Sequence, residues 1–149
     1  MEISKWDAVC YLLSSTGLIL MAVSFAAPWY QTGGEKFYIF QTGSSELTGR
    51  DIVQEMHIAQ TCLVFGMFFG WIFLVASFLW SGRASAVFGW LSEGLLAVGI
   101  VYASSIVLVD LGWYVGFFAL VLVGIAATYE LKRVFGKPKP KVQPGPFQE

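Results

Sequence analysis

Four stretches of about 20 mostly apolar residues, 8–27, 58–80, 86–109 and 111–131, take up most of this chain, and a run of that length is what a helix needs to cross a bilayer. The connectors after the second and third runs are very short: Ser81 to Ser85, and the neighbourhood of Asp110. Those runs must therefore fold back on one another as antiparallel neighbours. Composition agrees, because 56% hydrophobic and 13% charged residues in 149 make a chain too apolar for a water-soluble domain of this size. The expected fold is an all-α membrane protein, a four-transmembrane-helix antiparallel bundle with a small extracellular β-hairpin or sheet. Residues 1–136 would form the membrane domain, and residues 137–149 a Pro/Lys-rich cytosolic tail.

Lysine and arginine set the direction. With the N-terminus inside, the cytosolic face receives Lys5, Arg83, Lys132, Arg133, Lys137, Lys139 and Lys141, while the outer face receives only Lys36 and Arg50. Both termini are thus expected in the cytosol, in a multi-pass protein of the plasma membrane. Trp29, Tyr30, Trp113 and Tyr114 would form one aromatic belt, and Trp6, Trp80 and Tyr129 the other. A competing reading takes "SFAA", at the end of the first run, as a signal-peptide cleavage site that would leave three spans. Against it, the run is long for a signal, and Ser14, Ser15 and Thr16 suit a helix packed on neighbours. Cys10 and Cys62 fall near the starts of oppositely directed runs, roughly 20 Å apart, so they are expected as buried thiols and not as a disulfide.

The outer segment 29–43 is rich in aromatic and β-branched residues on either side of Gly33-Gly34, which signals a two-residue hairpin with room for a third strand. "FYIF" carries aromatic rings on both sides of its strand, so Trp29, Tyr30, Phe37, Tyr38 and Phe40 are the candidate interaction surface. Thr48 and Asp51 approximate a capping box, opening a helix that would project above the membrane before entering the second span. Ile52, Val53 and Met56 would give the hairpin an apolar rest.

This layout resembles the claudin and peripheral-myelin-protein-22 superfamily of tetraspan proteins. The likeness rests on four spans, cytosolic ends, a β-forming outer segment that starts at Pro28-Trp29, the inner turn "SGRAS" and a short second outer loop. The resemblance implies a left-handed bundle capped by a small sheet, with Trp29 in the place of the family's first outer tryptophan. The family's Gly-Leu-Trp and paired outer cysteines are absent between Tyr30 and Met56. Roles in sealing junctions or lining ion pores, which depend on that stapled sheet, do not carry over.

Glu93 is the costliest residue in the apolar runs, because a carboxylate roughly 10 Å inside the boundary needs a partner or a proton. Counting depth along antiparallel spans brings Ser14, Ser15, Trp71 and Thr128 to its level, a candidate buried polar site on a small-residue face with Ala86, Gly89 and Ala97. Two readings stand: a hydrogen-bonded acid that pins helix register, or a proton- or cation-binding site. Asp110 is placed to cap the fourth helix. His57 has no second histidine to join it, so haem and zinc sites lack ligands. "GMFFG" and "GWYVG" are Gly-x-x-x-Gly patterns for close helix approach, within the chain or between chains.

No nucleophile elbow, phosphate loop or metal-spaced cluster occurs. Integral tetraspan enzymes of the glutathione and leukotriene type carry arginine-rich inner motifs, and here the inner loop holds a single arginine. The expected function is accordingly non-enzymatic, without cofactor, metal or nucleic acid. It would work in the lipid bilayer through protein-protein contacts, as a self-assembling or adhesion-like protein or as an accessory subunit of a membrane complex. The alternative is a small proton- or cation-coupled transporter or channel using Glu93. The tail "GKPKPKVQPGPFQE" is expected to be extended and near anionic lipid.

Overall fold

The computed structural model describes residues 5–32, 34–40, 52–80, 83–106 and 109–136. These form α1 (Lys5–Ser24), β1 (Tyr30–Thr32), β2 (Glu35–Phe37), α2 (Ile52–Trp80), α3 (Arg83–Ile106) and α4 (Leu111–Phe135). The expected capping box at Thr48 and Asp51, and the proline-lysine tail, lie outside the described residues. Three helices are long and apolar enough to cross a membrane: Met56–Leu79 within α2, Arg83–Ser105 within α3, and α4. The apolar part of α1, Ala8–Ser24, is shorter.

Helix ends have local causes. α1 stops at Ser24 and not at Ala27, because the amides of Phe25, Ala26 and Ala27 turn to carbonyls three residues back and Pro28 then offers no N–H to continue. α4 starts where sequence placed it: Asp110 is extended and its carboxylate accepts the Leu111 N–H at 2.7 Å. Its far end runs past the apolar stretch to Phe135. There Lys132 and Arg133 sit in the last turn, where the helix dipole favours cations. α2 is helical from Ile52, ahead of the apolar run at Ile58 as expected of a helix that projects beyond its span, whereas α3 ends at Ile106, short of Val109, which instead forms a β-bridge with Tyr30.

α2 packs along α3, α3 on α4 and α4 on α1, while α1 and α2 meet over a shorter length. Glycines hold α2 and α3 in one antiparallel register. A Cβ on Gly66 would lie 2.8 Å from Leu96, one on Gly99 2.8 Å from Leu63, and one on Gly70 2.9 Å from the Ser92 hydroxyl. In the same way Gly17 of α1 receives Val123 of α4 at 2.8 Å. Small residues thus let the backbones approach, and Leu18, Leu63, Leu96, Ile100 and Val123 fill the space between with no exposed surface. The outward faces are equally apolar: Leu12, Phe68, Phe78 and Val101 are each 57–66% exposed.

The two strands pair antiparallel with Tyr30 opposite Phe37 and Thr32 opposite Glu35, closing a two-residue turn in which Gly34 takes φ +86°. A left-handed backbone there favours glycine. β2 ends at Phe37, earlier than the aromatic run to Thr42 had indicated. Beyond it Ile39 turns inward, its carbonyl accepting the Gln60 side-chain amide of α2 at 2.7 Å. Met56, the only one of the expected apolar supports whose side chain is described, is buried in the same cluster as Trp29, Tyr30, Phe37 and Ile39.

Candidate functional site

The hairpin end of the bundle, called the outer cap after the expected orientation, is built around Trp29. Its indole N–H donates to the Ser24 carbonyl at 2.7 Å, and its ring lies across Gly112 and Gly116, the two glycines of "GWYVG". Around it the Gly112 N–H donates to the Pro28 carbonyl and the Asp110 N–H to that of Trp29. The Lys36 ammonium stands 3.7 Å from the Asp110 carboxylate, linking hairpin to helix. Trp29 is therefore a core residue and not a belt or contact residue, because glycine leaves a flat seat in which its whole ring is covered. The same correction applies to Tyr30 and Phe37, whose rings stack at 5.2 Å and are buried. Burial pushes the Tyr30 hydroxyl up from its ordinary pKa. Of the five candidate contact residues only Tyr38 and Phe40 are exposed, and Phe40 also meets Phe25 edge to face at 5.0 Å.

"GMFFG" is likewise filled from within, Gly66 by Leu96 and Gly70 by Leu18 and Ser92. His57 Nδ1 lies 3.1 Å from the Gln60 side-chain oxygen, and among the described residues no group of three metal-binding side chains comes together.

Glu93 projects between α3 and α4. Its carboxylate rests on Gly124, where an added Cβ would lie only 2.6 Å from Oε1. The site is an open groove of about 560 Å³, walled by Trp90, Val121, Ile125 and Thr128, with Lys132 at its inner end. Oε2 is buried and makes no hydrogen bond. Such an orphan costs about 1–3 kcal/mol unless something completes it. Thr128 shares the groove, but the other residues expected at this level are elsewhere. Ser14 lines a separate inner cavity, Ser15 donates back to the Tyr11 carbonyl at 2.7 Å, and Trp71 is exposed on α2. Counting residues along antiparallel helices takes no account of the helical rotation that sends each side chain its own way.

A second polar cluster escaped the sequence reading. Glu130, almost fully buried near the end of α4, accepts the Ser85 hydroxyl at 2.6 Å and pairs with Arg133 at 2.8 Å. Beside it Cys10, Tyr11, Ser14 and Ser77 border a small cavity of about 10 Å³, and the Tyr11 hydroxyl donates to the Ser77 carbonyl. All four helices meet here. The signal was present: Gly112, Gly116, Ala119, Val123, Ala126 and Ala127 mark the inward stripe of α4 at spacings of three and four, and Glu130 continues it.

No family model, no curated protein and no solved structure matches the chain.

Proposed function

We propose that this chain is a four-pass integral membrane protein, both ends cytosolic, that acts non-enzymatically through contacts with other membrane proteins. Three long apolar helices and the apolar outward faces support membrane residence. α1 would complete the fourth crossing with its turn at 25–27, and the claudin-like layout belongs to the same proposal.

The observation that carries the reading is the position of Glu93. A transporter carboxylate belongs in a polar passage, whereas this one lies on the flank of the bundle, beside a glycine, with one oxygen unpartnered. The interior at its level is sealed by Leu18, Leu96 and Val123. A polar group on a flank beside a small residue is the usual makeup of a helix-helix contact in lipid.

The test is affinity purification of the full chain from its native membrane in mild detergent, alongside reconstitution of the purified protein in liposomes. Recovery of a defined oligomer or a stoichiometric membrane partner is the expected result. Proton or cation flux from the protein alone, abolished by Glu93→Gln, would replace this reading with the transporter one.

A further inference from the structure

We infer that the groove holding Glu93 receives α2 of a second copy of this chain, with the Trp71 indole N–H donating to the free Glu93 oxygen. The inference rests on the proposed membrane residence and deepens the contact reading by naming the partner. Three observations carry it.

The first is depth. Gly70 packs on Ser92, so the residues that follow each, Trp71 and Glu93, stand at one level of the α2–α3 pair. Counted at 1.5 Å per residue, Trp71 lies about 13 Å from the α2 end at Trp80, and Glu93 about 15 Å from the α3 start at Arg83. Two copies inserted in the same orientation bring donor and acceptor to the same height without sliding.

The second is complementarity. Glu93 Oε2 is buried without a partner, and Trp71, 45% exposed, makes no hydrogen bond among the described residues. Among the described residues each group is unsatisfied in its own copy, and lipid chains satisfy neither. A lipid headgroup would have to sink the full depth from the interface to reach the carboxylate.

The third is shape. Phe68, Trp71, Val75 and Phe78 are exposed at spacings of three and four, forming one outward ridge on α2. The groove between α3 and α4 has Gly124 at its floor, the kind of residue that lets a neighbouring ridge come close. Ridge and groove are different surfaces of one chain. The contact is thus head to tail and generates a closed ring or a row, not a two-fold dimer.

The experiment places a photo-crosslinker on the ridge one turn from the donor, Phe68→p-benzoylphenylalanine with Trp71 intact, in the full chain in its native membrane, and maps the adduct by mass spectrometry. The expected product joins two copies of the chain, from position 68 to the α3 or α4 peptides that wall the Glu93 groove. It should persist with Glu93→Gln, whose carbonyl still accepts, and vanish with Glu93→Leu. Trp71→Phe, an exposed change that leaves the fold alone, should weaken self-association in lipid roughly 3- to 15-fold by energy transfer between labelled copies. An adduct between two ridges, or unchanged association of Trp71→Phe, overturns the inference. Adducts to a different protein overturn it and leave the contact reading standing. Single copies in the bilayer with no protein adduct remove both.

Discussion

Gly112 and Gly94 offer one substitution, glycine to alanine, with opposite consequences. In an exposed helix position alanine is favoured over glycine by about 1 kcal/mol, because it has less backbone freedom to lose. Gly94 meets that condition: a Cβ there finds nothing within 4 Å. At Gly112 the same Cβ would lie 2.5 Å from Trp29 Cδ1 and 2.9 Å from each of the Ala27 and Pro28 carbonyl oxygens. Two of those three atoms are backbone. The third belongs to a ring anchored by its own hydrogen bond to Ser24 and by contact with Gly116. None can move alone, so the overpacking cost of about 1–3 kcal/mol falls at its upper end and outweighs the propensity gain. Gly112→Ala should therefore destabilise by about 2 kcal/mol net, and Gly94→Ala should stabilise by up to about 1 kcal/mol. The assay is unfolding by titrated sodium dodecyl sulfate in mixed micelles, followed by tryptophan fluorescence, with Trp29→Phe as a third variant. A Gly112→Ala protein as stable as the parent would show that the indole is not seated against α4, and the account of the outer cap would fail.

Other outcomes follow from the same contacts. Replacing Glu130 by Leu removes the acceptor that the Ser85 hydroxyl and Arg133 share at the meeting of four helices, and should cost about 1–3 kcal/mol in that titration. Near-parental stability would mean that the cluster is dispensable. Tyr30 is neutral when protonated, and burial raises its folded-state pKa above the unfolded value of 10.0, so the unfolded chain ionises first. The stability tied to it is complete below pH 10 and is lost as pH rises beyond; alkaline titration should show this fall in the parent and a smaller one in Tyr30→Phe. Tags fused at Met1 and Glu149 should report from the same side of the membrane, and opposite sides would contradict four crossings.

How much of this the sequence disclosed depends on the range of the interaction involved. Helix identities, the Gly33-Gly34 turn and the Asp110 cap were readable because each is decided within a few neighbouring residues. Helix ends shifted where a long-range contact competed, as at Val109, which leaves α3 to pair with Tyr30. Side-chain direction was the weak point. Trp29 reads as an interfacial ring until two glycines more than eighty positions away provide its seat. Trp71 and Ser14 count to the level of Glu93 yet lie elsewhere, Trp71 exposed on α2 and Ser14 at the cavity beside Glu130, because counting gives a level whereas facing depends on which helix lies beside which.

The two acids within the apolar helices sharpen that point. Glu93 and Glu130 are the same side chain in adjacent helices, yet the second has a hydroxyl and a guanidinium within 2.8 Å, and the first has a glycine and an unpartnered oxygen. Energetically, Glu130 is complete within one chain and can be kept for stability alone. Glu93 is incomplete, and a chain selected only to fold would do better with leucine at that place. Under the proposed assembly, contact with a second copy would offset the cost of an unsatisfied acid on an apolar flank. Glu93→Leu should accordingly leave the isolated fold as stable as the parent, or more so, in the detergent titration, while abolishing assembly in the membrane. Loss of both together would make Glu93 a structural residue and remove the reason for seeking a partner at its groove.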